Sequence, residues 1–181
     1  MANNIANRVV FTGTEKDISK VLRFIKGKAG AIDFNSIIPE PTGIDETPNC
    51  SDGWMWVLRC GYPSWYEWRI DKWGTKWNAY EIKEAPCDPI VEFMTAWSAP
   101  HPVICRISEC FPDLTIVHKW ADEDTGGYCG EYEFKKGECV YRNVPPPYSR
   151  EAYEIAFSLR PFIEEDYELV DGNYRRKDND E

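Results

Sequence analysis

The chain has 181 residues, the length of one domain or of one domain with an appendage, and its 8 Trp, 10 Tyr and 8 Phe make it rich in large rings. A net charge of −10 argues against a nucleic-acid backbone as ligand, because phosphate contacts need clustered Lys and Arg, and it favours solubility and a basic partner. No window approaches the ~20 apolar residues of a membrane span, and the start Ala2–Asn7 is polar, so a cytosolic protein without membrane contact is expected.

In chain order, Arg8-Val9-Val10-Phe11-Thr12 has strand character. Thr14 with Asp17 opens a helix whose apolar stripe is Ile18, Val21, Leu22 and Ile25 and which ends near Gly27. A short strand is predicted at Ala31-Ile32-Asp33-Phe34, and a polar loop runs on through Asp52. Trp54 to Gly74 reads as an aromatic helical insert, with Pro63 in its first turn, Trp65, Trp68 and Lys72 on one side, and Gly74 as its stop. Trp77–Ile82 and Ile90–Thr95 are predicted strands around a Pro-flanked turn. Ser98 is the expected N-cap of a helix that buries Val103, Ile104, Ile107 and Phe111 and stops at Pro112. Leu114–Trp120 is a strand, Asp122–Gly127 a turn, Tyr128–Lys135 the returning strand, and Gly137 a hairpin into Cys139-Val140-Tyr141. Pro145-Pro146-Pro147 separates a domain at 1–144 from a segment at 145–181, read as a Pro-rich junction, a short helix Ser149–Leu159 and an acidic tail.

The pattern β-α-β, helical insert, β-β-α-β-β is a split βαβ arrangement. It predicts an α+β, ferredoxin-like fold: an antiparallel sheet with helices on one face.

Chemistry-bearing residues are sparse. Seven cysteines without a CxxC pair read as small buried hydrophobes in a reducing compartment. His118 alternates with Ile116 and Trp120 and reads as a structural histidine; His101 is expected to be exposed in the first turn of its helix. Cys105 and Cys110 fall on different helix faces, and a zinc site needs three or four convergent ligands. Glu131 and Glu133 share the wet face of a strand. Asp122-Glu123-Asp124 lacks the alternating ligands and closing glutamate of a calcium loop. No metal or cofactor is expected.

The segments Trp73-Gly74-Thr75-Lys76-Trp77, Phe34-Asn35-Ser36-Ile37-Ile38-Pro39-Glu40-Pro41, Thr95-Ala96-Trp97-Ser98-Ala99-Pro100 and a glycine hairpin through Gly130 resemble the YubB-type ferredoxin-like family of phages, plasmids and prophages. The resemblance spans roughly residues 5–142. It implies the ferredoxin-like topology and no established activity; iron–sulfur chemistry would need clustered cysteine ligands.

Two readings of the tryptophan motifs stand side by side. In one they are architecture: Trp73 closes the insert, Gly74 reverses the chain, Trp77 starts a strand beside that of Trp97, and Lys76 lays its stem over an indole with its ammonium in water or over a ring face. In the other, Trp73, Lys76, Trp77 and Trp97 line a binding groove. The leading functional expectation is a non-catalytic interaction protein of a phage or other mobile genetic element that docks on a host or phage protein. Its most specific form is an inhibitor of a host defence nuclease, of anti-CRISPR or anti-restriction type, whose acidic surface occupies a basic nucleic-acid channel. The acidic candidates are Asp122, Glu123, Asp124, Glu164, Glu165, Asp166 and Glu168. Alternatives are an enzyme with a carboxylate or thiol site, an assembly accessory of a phage particle, and a single-stranded nucleic-acid-binding module, the last disfavoured by the mixed charge of the sheet's wet face.

Overall fold

Strand β1 (Asn4–Thr12) lies at the centre of the sheet, with an antiparallel partner on each side. Its alternation suits that place: Ile5, Val9 and Phe11 face one side, Ala6 the other, and all four are buried. The computed structural model describes residues 3–43, 57, 61–83 and 89–177. After β1 come α1 (Glu15–Ile25), the one-turn α2 (Phe34–Ile37), α3 (Trp65–Lys72), β2 (Tyr80–Lys83), β3 (Ile90–Ala96) and α4 (His101–Cys110). They are followed by β4 (Thr115–Asp122), β5 (Cys129–Lys135), β6 (Glu138–Asn143) and α5 (Arg150–Leu159). A 3-10 turn (Pro161–Asp166) leads into a separate hairpin of β7 (Tyr167–Val170) and β8 (Asn173–Arg176).

The strand order is β2-β3-β1-β4-β5-β6, and every neighbouring pair is antiparallel. The crossovers β1-α1-β2 and β3-α4-β4 each skip one strand, which is the split βαβ arrangement of the ferredoxin-like fold. The α+β architecture is therefore the one expected from the element pattern, with β5 and β6 added as an antiparallel extension.

The main core fills one face. Val21 and Ile25 of α1, Phe34 of α2, Trp68 of α3, and Ile104 and Ile107 of α4 pack over Val9, Phe11, Val91, Phe93 and Ile116. Each such side chain, fully buried, contributes about 1.5–3 kcal/mol. Phe34 meets Trp73 and Phe93 edge-on, each at 5.8 Å between ring centres.

The second face is divided. Helix α5, absent from the one-sided layering expected from sequence, covers its near half: Ala152, Ile155, Ala156 and Leu159 pack on Ala6, Ala121 and Cys129. The many small side chains let helix and sheet approach closely. The far half stays wet, with Glu92 bridging Arg8 and Lys83, each at 2.6 Å, and Lys119 paired with Glu131 at 2.7 Å.

Local chemistry overrode the predicted boundaries at several points. Residues 31–34 form no strand. Asp33 caps α2 instead, its Oδ1 accepting from Asn35 N at 3.0 Å and from Asn78 Nδ2 at 2.8 Å. Asn78 Oδ1 in turn accepts from Phe34 N at 2.9 Å, so the approach to β2 is tied to α2, and the strand begins only at Tyr80. Ser98 does not cap α4; Pro100 occupies that position. Gly130 lies within β5 under Trp120, and the hairpin turn precedes it. The acidic tail carries the 3-10 turn and the β7–β8 hairpin, where Tyr153 and Phe157 of α5 meet Tyr167 and Tyr174. The polar loop after Gly43, most of the predicted helix before Gly61, the Pro-flanked turn at 84–88, Cys50, Cys60 and Cys87, and the last four residues lie outside the described residues.

Arg160 fastens α5 to the sheet. It is nearly buried and donates to three carbonyls: Asp122 O at 2.6 Å, Asn4 O at 3.0 Å and Ala121 O at 3.3 Å. Burial lowers its pKa, against the raising effect of Asp122 and Glu123. Charged hydrogen bonds of this kind contribute about 1.5–3 kcal/mol each, less what desolvation costs. Arg160→Ala should destabilise the protein by about 2–4 kcal/mol in urea unfolding. A loss below about 0.5 kcal/mol, the usual range for a surface change, would show that α5 is held by its apolar face.

Candidate functional site

The two tryptophan motifs are locked together by side chains bonded to backbone. Helix α3 ends at Gly74, whose φ of 77° is left-handed and whose N–H reaches Ile70 O at 3.1 Å. A Cβ there would lie 2.7 Å from Pro102 Cδ, so the position requires glycine for space as well as for conformation. The fully buried Thr75 donates its hydroxyl to Ala96 O at 2.7 Å, and Ser98 Oγ donates to Gly74 O at 2.5 Å.

This lock sends the tryptophans to different places. Trp73 enters the core, 1% exposed, with Nε1 donating to Ile38 O at 3.0 Å. Trp77 and Trp97 stay on the surface at 41% and 43% exposure. The Lys76 ammonium lies between them, 4.4 Å from the Trp97 ring centre and 5.0 Å from that of Trp77. Tyr66 of α3 touches Trp97 edge-on, and Tyr80 does the same to Trp77. The result is an open clip of two indoles closed on a cation. Of the candidate groove residues, Lys76, Trp77 and Trp97 thus come together on the surface, and Trp73 belongs to the interior.

Trp97 has φ +71°, a left-handed conformation that costs a bulky residue about 1–2 kcal/mol. Its surroundings impose this. Thr95 Oγ1 donates to Ser98 O at 2.8 Å, closing a tight turn, and Trp97 N donates to Asn3 O at 2.8 Å.

The acidic candidates divide into two groups. Asp122 ends β4, and Glu123 and Asp124 follow it, at the same end of the sheet as the clip: Glu123 N donates to Asn4 O at 3.0 Å, and Tyr80 donates its hydroxyl to Asn4 Oδ1 at 2.5 Å. Asp122 is nearly buried and turns inward to accept from Asp124 N at 3.0 Å. Glu123 accepts from Asn4 Nδ2 at 2.9 Å and Asp124 from the Tyr148 hydroxyl at 2.6 Å. Glu164, Glu165, Asp166 and Glu168 lie on the 3-10 turn and β7, after α5.

A second cluster escaped the sequence. His101 is half-buried, contrary to the exposed position expected of it. Its ring leans on Tyr132 at 4.7 Å and 31°, and meets Trp120 edge-on at 4.5 Å and His118 at 5.4 Å. His118 is completely buried, as its alternation with Ile116 and Trp120 required. Asn7 Nδ2 donates to Ile5 O and to Thr95 Oγ1, both at 2.9 Å, so Asn7 Oδ1 is the acceptor for His118 Nε2 at 3.0 Å. The His118 proton therefore sits on Nε2, and Nδ1 is a lone pair without a partner among the described residues. A hydrogen-bonded chain runs from His118 through Asn7 and Thr95 to Ser98, beneath the clip. In front of His101 a shallow depression of about 310 Å³ opens between α4 and the β5–β6 pair. Tyr132, Cys139 and Arg142 line it, and only the inward alternation of β5 and β6 hinted at them.

The chain carries a ferredoxin-like domain. The family model described as the ferredoxin-like domain in Api92-like protein matches residues 72–158, from the last residue of α3 to the penultimate residue of α5 and a little under half of the chain. Neither the curated proteins nor the solved structures give a match. Among the described residues, no helix is long and apolar enough to cross a membrane, and no group of three or more His, Cys, Asp or Glu is placed to hold a metal ion.

Two predictions follow from this geometry. Glycine tolerates the left-handed backbone at position 97 and alanine does not, so Trp97→Gly should be more stable than Trp97→Ala by about 1 kcal/mol in urea unfolding. Equal stabilities, or the reverse order, would mean that the backbone there is not left-handed in solution.

The histidines give the second. Burial, with Arg142 adding to it, lowers the His101 pKa to about 4; burial, with His101 adding to it, holds that of His118 well below the usual imidazole value. Both are neutral in the folded protein and titrate near 6.5 when unfolded. Their contribution is present above pH ~6.5 and is lost as pH falls from there towards about 4, because the unfolded chain takes up the protons. Unfolding free energy measured across that window should fall steeply, and His101→Gln should reduce the slope by about one proton. An unchanged slope would rule out His101 as a contributor.

Proposed function

We propose that this chain is a non-catalytic interaction protein of a phage or other mobile genetic element, docking through the Trp77–Lys76–Trp97 clip and the adjoining Glu123–Asp124 turn onto a basic surface of a partner protein. In its most specific form the partner is a host defence nuclease, RNA-guided or of restriction type. The docked protein then occupies the positively charged channel that otherwise receives nucleic acid.

One observation carries the reading. Two indoles stand on the surface at over two-fifths exposure, one on a left-handed backbone that the surrounding turn must hold in place. Strain of this kind persists where the structure over-determines it, and such positions cluster at ligand clamps and switch regions. Tryptophan is enriched among interface hot spots, where truncation costs about 2 kcal/mol or more. Lys76 fixes the spacing of the rings before a partner arrives, which lowers the ordering cost of association. The neighbouring carboxylates supply the sign of charge that steers a basic surface into register. The likeness of the tryptophan motifs to a family common on phages and plasmids supports the mobile-element setting.

The test uses a panel of purified host defence nucleases, with cleavage and direct binding both measured. The wild-type chain should inhibit at least one of them, with binding that weakens as salt rises. Trp97→Ala combined with Asp124→Lys should weaken that binding by about 10-fold or more, as expected when ~1.4 kcal/mol is removed. Failure of the wild type to bind any member would defeat the nuclease reading. Binding that the paired substitution leaves intact would defeat the clip as the docking surface.

A further inference from the structure

The depression between α4 and the β5–β6 pair stands apart from the clip, and its chemistry differs from the rest of the molecule. In a chain of net charge −10, no carboxylate among the described residues lines it. Among the described residues its one permanent charge is Arg142, which is exposed, bonds the Cys139 thiol and pairs with no carboxylate; its guanidinium lies 5.5 Å from the Tyr132 ring centre. The nearest acid on α4, Glu109, is engaged with Arg106 at 2.8 Å. The walls are flat and largely apolar, formed by the His101 and Tyr132 rings and by Phe134. Two thiols complete the lining, with Cys105 bonded to Gly137 O at 3.0 Å and Cys139 to Tyr141 O at 3.2 Å. Behind this wall, Nδ1 of His101 and Nδ1 of His118 are both buried and have no hydrogen-bond partner among the described residues.

We infer that this depression is a binding site for a small planar anion, an aromatic or heteroaromatic ring bearing a carboxylate or a phosphate. The ring lies against the His101 and Tyr132 faces, and the anionic group meets Arg142. A depression of about 310 Å³ falls at the lower end of the range for small-molecule sites, which suits one ring system with a short charged substituent. Arginine suits the anchoring role, since its planar fork binds carboxylate and phosphate oxygens in pairs while its face rests on an aromatic ring. Among the described residues Arg142 touches the Cys139 thiol but no carboxylate, so an incoming anion displaces no ion pair. A cationic or neutral aliphatic ligand would forgo both features.

The full chain, labelled with nitrogen-15, tests this by NMR titration with four probes. Adenosine 5′-monophosphate presents ring and phosphate together, 2-naphthoate ring and carboxylate, adenosine the ring without charge, and inorganic phosphate the charge without ring. At least one of the two ring anions should shift the amide signals of 101–105 and 137–142 at millimolar concentration, and which one does so identifies the anionic group. Adenosine and phosphate should each bind about 10-fold or more weakly than the monophosphate if phosphate is the group used. Arg142→Gln, an exposed substitution expected to leave the melting temperature unchanged, should weaken the bound ring anion by about 10-fold or more, and Arg142→Lys should restore part of the loss. Absence of shifts in these segments with both ring anions would overturn the proposal. So would a monophosphate that binds no tighter than adenosine, or a ring anion that binds equally well to Arg142→Gln.

Discussion

The reversal at Gly74 is the constraint on which the rest of the structure depends. Helix α3 ends there on a left-handed glycine pressed against Pro102, and the next residue, Thr75, is buried with its hydroxyl on Ala96 O. Ser98 closes the other side by donating to Gly74 O. Three separate stretches of chain are thereby brought together: the end of α3, the end of β3 and the start of α4. From that point Trp73 is sent inward to close the core over Phe34 and Trp68, while Trp77 and Trp97 remain outside on either side of Lys76.

The same end of the sheet gathers the other unusual features. The turn that holds Trp97 is tied through Thr95 and Asn7 to the buried His118, so the surface clip and the interior polar cluster share one hydrogen-bonded chain. Arg160 binds the ends of β1 and β4 from the opposite face, close to the acidic turn. Polar groups buried in a low-dielectric interior are costly unless satisfied, and those satisfied rigidify what they connect. The clip therefore rests on a frame held by hydrogen bonds on both faces of the sheet, while the far, wet end carries ordinary surface ion pairs, each contributing little to stability.

Much of this was legible in the residue order. The stripe Ile18, Val21, Leu22 and Ile25 defined α1, the Thr14–Asp17 pair marked its start, and strand alternation placed Ile116, His118 and Trp120 on the core face. These are local properties: a helical period or a cap needs only neighbours within a few residues. The repeated pairing of Trp73–Trp77 with Trp97 also pointed to the right region. What it left open was which indole would be inside. His101 read as exposed because a first-turn helix residue usually is, yet β5 brings Tyr132 against its ring from thirty-one residues away in sequence.

Sequence by itself determined the principal strands and helices of the main sheet, their order and the ferredoxin-like class, because hydrophobic period and turn chemistry are written over short windows. It did not determine the turn of helix at Phe34–Ile37 or the hairpin after α5. Tertiary structure decided the rest. It covered half of the second sheet face with α5, through small side chains whose partners lie over a hundred residues apart, as with Ala6 and Ala152. It turned the acidic tail into a hairpin held against Tyr153 and Phe157, gave Trp97 its left-handed backbone, and left Arg142 without a carboxylate partner among the described residues. Each of these depends on which distant residues fill the space around a side chain, and a linear pattern carries no record of that.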